Sequence, residues 1–92
     1  MAITVINTVK SQALRGQTVK VTLSKSEQAA YLHLITAGDV CTNTDGDRVG
    51  LVRRVDTEGN SFTITPENPE LTFESDTTPG FLNSSQNITV DI

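Results

Sequence analysis

The side chains able to do chemistry are few and scattered. Cys41 is the single cysteine and His33 the single histidine. A thiol–imidazole pair needs a third group to orient the base, and neither residue sits in a nucleophile motif. The carboxylates of Asp39, Asp45, Asp47, Asp56 and Glu58 fall at expected turns and strand ends, where such side chains cap backbone and meet water. Cys41 to Gly46 (CTNTDG) partly fits a calcium loop. Asn43, Asp45 and Gly46 suit the middle of that pattern, but Cys41 and Val52 stand where it needs its first and last oxygen ligands. The Asp45-Gly46 pair is therefore read as a hairpin turn. No Gly-rich phosphate loop and no nucleophile elbow is present. The expectation is a non-enzyme with no catalytic residue, no cofactor and no metal site.

The elements that would position any site are short. The richest stretch runs from Gly38 to Pro66 and reads as three strands joined by turns at Asp45-Gly46 and Glu58-Gly59-Asn60. The expected strands are 39–42, 49–55 and 61–65, with Phe62 and Ile64 on one face. Gly50, inside the central strand, implies a bulge, a bend or a close backbone approach. Arg53 and Arg54 alternate across that strand and so do not form one basic patch.

Upstream, Ala2 to Val9 reads as a strand with Ile3, Val5 and Val9 on one face and Ile6 on the other. Lys10 to Gln17 reads as a loop. Thr18 to Leu23 alternates, with Val19, Val21 and Leu23 facing a core. Ser24 and Glu27 stand in capping-box register and open the one expected helix, at about 24–37. Its apolar stripe is Tyr31, Leu34 and Ile35, with Ala30 and Leu32 beside it, and Gly38 suits its C-terminal stop. Downstream, Leu71 to Phe73 reads as a short edge strand, and residues 74–85 as a turn-rich surface loop around Pro79-Gly80. Phe81 and Leu82 in that loop either fold back on the core or insert into a neighbour. Asn87 to Ile92 alternates as a last strand. Ile3-Thr4-Val5 recurs as Ile88-Thr89-Val90, a common tripeptide in β proteins.

The fold class is therefore mainly β (α+β): one domain over residues 1–92, a small β-barrel or sandwich with one short helix. Residues 1–9 and 86–92 are possible strand arms. The 92-residue chain carries 36% hydrophobic residues, no Trp, one Tyr and three Phe. A domain this small buries only about 60–65% of its unfolded-chain surface, so association is one route to added stability. The net charge is −4 with seven scattered basic residues, which argues against nucleic acid as a main partner. A single thiol forms no internal disulfide. The N-terminus lacks the pattern of a signal peptide, and no apolar run approaches a membrane span. The sequons at Asn83 and Asn87 are read as chance matches.

Gly38-Asp39-Val40 followed by Gly50, Val52, Val55 and Asp56 resembles the hairpin of small SH3-like barrels, whose pattern is Gly-Asp-Val, then Gly-x-Val-x-x-Val-Asp, then a returning strand. The match covers under a third of the chain. At whole-chain level the sequence resembles the small structural proteins of tailed-phage virions, such as head decoration or cement proteins. The likeness lies in short length, Thr/Asn/Val/Ile-rich strands, few aromatics, strand-like ends and a Pro-Gly loop. No signature residue aligns, so no functional residue is carried over.

That resemblance implies a virion protein assembled in the host cytoplasm, with the major capsid protein and itself as partners and a trimer as a possible state. Decoration, head–tail joining and a tail role all remain open. The candidate interaction residues are Ile3, Val5, Phe81, Leu82, Ile88 and Val90. An SH3-like module for peptide or nucleic acid is the alternative, with Tyr31, Phe62, Phe73 and Phe81 as its only aromatic side chains.

Overall fold

In a computed structural model the chain is mainly β: the described residues form six antiparallel strands in one sheet and one short helix. The structure describes residues 1–11, 18–67, 82 and 84–92. The expected edge strand at Leu71–Phe73, Pro79-Gly80, Phe81 and most of the 10–17 and 74–85 loops lie outside the described residues.

In chain order the elements are β1 (Ala2–Ile6), β2 (Val19–Thr22), α1 (Lys25–Tyr31), β3 (Val40–Thr42), β4 (Arg48–Asp56), β5 (Ser61–Pro66) and β6 (Asn87–Asp91). The sheet order is β1-β6-β3-β4-β5-β2. The expected hairpins at the two turns, β3–β4 and β4–β5, both form. The two chain ends pair with each other along β1 and β6, so the recurring tripeptides lie side by side. Ile3 faces Val90, Thr4 faces Thr89 and Val5 faces Ile88. The Thr4 and Thr89 hydroxyls share a 3.1 Å hydrogen bond across the pair.

The sheet curls until its outer strands meet. Beyond β1, the Thr8 N–H donates to the Thr22 carbonyl of β2 at 2.8 Å. The Ser11 hydroxyl donates to the Lys20 carbonyl at 2.7 Å. Asn7, fully buried, accepts the Thr22 N–H at its Oδ1 (3.0 Å) and donates from Nδ2 to the Val9 carbonyl (2.8 Å). Its own N–H and C=O bond Gln86 and Ser85 in the approach to β6. These bonds pull the chain out of β1 after Ile6. Val9 is therefore exposed, correcting the expectation that it shares a face with Ile3 and Val5.

Two irregularities in β4 supply the curl. Against β3, Cys41 pairs with Gly50 and Thr42 with Arg48, so Val49 is extra. Against β5, Val52 pairs with Ile64 and Arg54 with Thr63, so Arg53 is extra. A bulge bends its strand and increases the local twist. Gly50 lies between the two. A Cβ on it would stand 2.2 Å from the Thr65 carbonyl oxygen and 2.8 Å from Ile64 Cγ2. The expected close backbone approach is thus real, and only hydrogen fits there.

One apolar core fills the curl. Val5, Val19, Val21, Val49, Val52, Phe62, Ile64, Ile88 and Val90 reach it from the strands, and Leu23 from just past β2. Leu32 and Ile35 reach it from the segment after α1, and Leu82 reaches it from the chain before β6.

The helix is shorter than expected, ending at Tyr31, and it buries none of its residues. Leu32 and Ile35 are buried while Leu34 is 45% exposed, so the apolar stripe belongs to a turn and not to a longer helix. Nor does the capping box form: Ser24 makes no side-chain cap bond. Its hydroxyl meets Ser26 Oγ at 3.0 Å instead, while its backbone carbonyl accepts the Glu27 and Gln28 N–H groups. Gly38, with φ near 100°, serves a turn into β3, where the Asp39 N–H donates to the Thr36 carbonyl. In the β4–β5 turn the left-handed residue is Asn60 (φ 57°), while the Gly59 N–H donates to Asp56 Oδ1.

Two substitutions test this account. Gly50→Ala is expected to lower unfolding free energy by roughly 1–3 kcal/mol or more, because β5 backbone must move. Asn7→Ala orphans the part-buried Thr22 N–H and is expected to cost roughly 1–3 kcal/mol. Urea titrations read both, and wild-type midpoints would contradict the packing and the bonding described.

Candidate functional site

The isolated chemical groups resolve into structural duties. Cys41 lies in β3, fully buried between β4 and β6. Burial first, and the Asp39 carboxylate second, push its thiol up to about 12. A nucleophilic cysteine needs the opposite shift, since the thiolate is the reactive form. His33 is exposed on the turn after α1. Asp39 Oδ2 accepts the Thr36 N–H at 2.8 Å, and Asp56 Oδ1 accepts the Gly59 N–H at 3.0 Å. Both carboxylates cap turns, as turn residues do.

The calcium-like stretch is a turn built on Asn43. Its Oδ1 accepts the N–H groups of Asp45 (3.0 Å) and Asp47 (2.9 Å), and Gly46 takes the left-handed conformation at φ 86°. Among the described residues, no three His, Cys, Asp or Glu side chains gather to hold a metal ion. No helix of the described residues is long and apolar enough to cross a membrane.

The candidate interaction residues separate by burial. Val5, Leu82, Ile88 and Val90 are fully buried in this chain's own core. Leu82 is further tied down by paired backbone bonds with Ser11, each 2.8 Å. Of the two alternatives raised for it, folding back on the core is the observed one. Burying that side chain is worth about 1.5–3 kcal/mol. Ile3 is half-buried and packs against the same core. Val5, Leu82, Ile88 and Val90 are therefore not surface contacts, while Ile3 keeps part of its surface open. The arm at 86–92 is not a sheet edge either, because β6 lies between β1 and β3.

What faces outward is the β1 backbone. At one end Met1 and Ile92 bond each other in both directions, and at the other the Asn7 N–H donates to the Gln86 carbonyl. The register between them is unbroken. In an antiparallel ladder, alternate residues point to one neighbour and the rest to the other. The odd residues of β1 therefore bond β6, and the N–H and C=O groups of Ala2, Thr4 and Ile6 point away from it. Thr8, next in that series, meets Thr22 of β2. Among the described residues, no strand pairs with Ala2, Thr4 or Ile6 on that side. All three are exposed, Ile6 at 43%. The sequence offered a signal for this edge in its uncharged AITVI run, but not which backbone groups would be left open.

A second surface feature follows from the β4 bulge. The alternation breaks at Arg53, and Arg53 and Arg54 are both exposed. Neither arginine turns into the core. Arg48 is engaged separately, with its Nη2 2.7 Å and its Nε 2.9 Å from Glu67 Oε1. That pair is half-exposed, and such pairs contribute little to stability.

Comparison with protein-family models, with curated proteins and with solved structures gave no match.

The Cys41 environment predicts a pH dependence. The unfolded thiol titrates near 9.0 and the folded one near 12. Above pH 9 the unfolded chain releases a proton that the folded chain keeps. The thiol's contribution is thus complete below pH 9 and declines by about 1.4 kcal/mol per pH unit as the pH rises toward 12. Urea titrations at pH 8 to 10.5 should show a shallower decline for Cys41→Ala than for wild type. Equal slopes would contradict the assignment.

Proposed function

We propose that this chain is a non-enzymatic structural protein of a tailed-phage particle, of the head decoration or cement kind. It stabilises the shell through contacts between subunits made by β-strand pairing. Its partners are the major capsid protein and other copies of itself. Head–tail joining and a tail role are alternative placements within the particle. The observation that supports the reading is the open edge of β1. A strand edge with unpaired N–H and C=O groups is a hazard in a free monomer and a means of attachment in an assembly. Cys41, Asp39, Asn43 and Asp56 serve core and turns, which is consistent with a structural role.

A second reading draws on the two adjacent exposed arginines. An SH3-like module could present Arg53 and Arg54 to an acidic peptide or a nucleic acid. The net charge of −4 opposes this for nucleic acid, whose affinity depends on phosphate neutralisation.

The deciding measurement is recovery of the protein on particles. Tagged protein mixed with shells lacking it should co-sediment with them and raise their resistance to heat. If it stays in the supernatant with head and tail structures alike, the virion reading is lost. A salt-sensitive mobility shift with DNA or RNA would move the assignment to the second reading.

A further inference from the structure

The open edge has a composition that selects its occupant. Native sheets protect their edges with charged residues, proline, bulges or a covering element. At the other outer strand, β2, the edge carries Lys20, and its outward carbonyls at Lys20 and Thr22 are taken by Ser11 and Thr8. β1 lacks the first three of these: Ala2–Ile6 reads AITVI, without charge, proline or a register shift, and although α1 packs near it, Ala2, Thr4 and Ile6 stay exposed among the described residues. An uncharged edge does not repel its own copy.

We propose that β1 pairs antiparallel with β1 of a second copy of this chain, across a two-fold axis at Thr4. The register follows from the parity of the outward groups. Ala2, Thr4 and Ile6 face away from β6, so a two-fold pair sets Thr4 opposite its symmetry mate and Ile6 opposite the mate's Ala2. The pairing closes about six backbone hydrogen bonds. It also lays the exposed Ile6 side chain against the mate's Ala2 on one face of the joined sheet. Because β1 contributes the same strand on both sides, the contact is isologous and stops at a dimer.

This inference names a partner for the edge on which the virion reading leans, yet the two can fail separately. Light scattering on the isolated chain tests self-pairing, whereas particle co-sedimentation tests the role. The chain should run as a concentration-dependent dimer. Thr4→Lys places two ammonium groups directly opposite each other and should weaken the dimer roughly fivefold or more. Thr4→Pro removes one outward N–H, which an edge strand tolerates in the monomer, and should also weaken it.

Thr4→Cys sets two thiols at a Cα separation of about 5.5 Å, within the range of a disulfide. Mild oxidation should therefore give a covalent dimer through this residue, since Cys41 is buried. Circular dichroism confirms that each variant is folded. A wild-type chain that stays monomeric to about 1 mM would overturn the proposal. So would a dimer equally strong in Thr4→Lys, or one that Thr4→Cys does not lock.

Discussion

The closure of the sheet depends on Asn7. An amide buried without partners would be costly, and this one is bonded to the Thr22 N–H and the Val9 carbonyl while its backbone holds Ser85 and Gln86. One residue thereby joins the exit of β1, the end of β2 and the approach to β6. Those three segments are distant in sequence, so their meeting closes the core on the side where the sheet would otherwise lie open. Leu82 and Ser11 reinforce the same seam.

Closure also demands that the sheet bend, and the bend is concentrated in β4. Two extra residues, Val49 and Arg53, sit on either side of a glycine too close to β5 to carry a Cβ. The bulges make the strand twist, and Gly50 lets β5 approach where the twist is tightest. The same geometry has a surface consequence, because the second bulge leaves Arg53 and Arg54 exposed together. A structural device and a possible contact thus share one cause.

Among the described residues, the fold engages several of its chemical side chains and leaves the β1 backbone edge open. Cys41, Asp39, Asn43 and Asp56 are engaged in core and turns. The apolar candidates Val5, Leu82, Ile88 and Val90 hold the domain together from within. β1 lies at the outside of the sheet because β6 inserts between it and β3. That insertion makes one terminal strand interior and the other exposed.

Local pattern was enough for much of this. Alternation in Thr18–Leu23 and Ser61–Thr65 predicted strands whose inward residues are the buried ones, and Asp-Gly placed a hairpin turn correctly. Gly50 announced a close approach, and a mainly β domain with one short helix was legible throughout. These features rest on contacts near in sequence or on the period of the side chains. The helix length, the place of Leu34 and the exposure of Val9 were not legible, since each depends on what packs against the segment. The capping box failed because the Ser24 hydroxyl meets Ser26 Oγ and the Glu27 carboxylate rather than a backbone N–H. Which terminal strand is exposed, and which residues β4 bulges out, are matters of register between segments far apart. By itself, then, the sequence determined the kinds of element, their order and the composition of the core. Tertiary structure decided the register, the closure at Asn7 and the open edge, because backbone hydrogen bonds between distant strands carry no signature in the residues that make them.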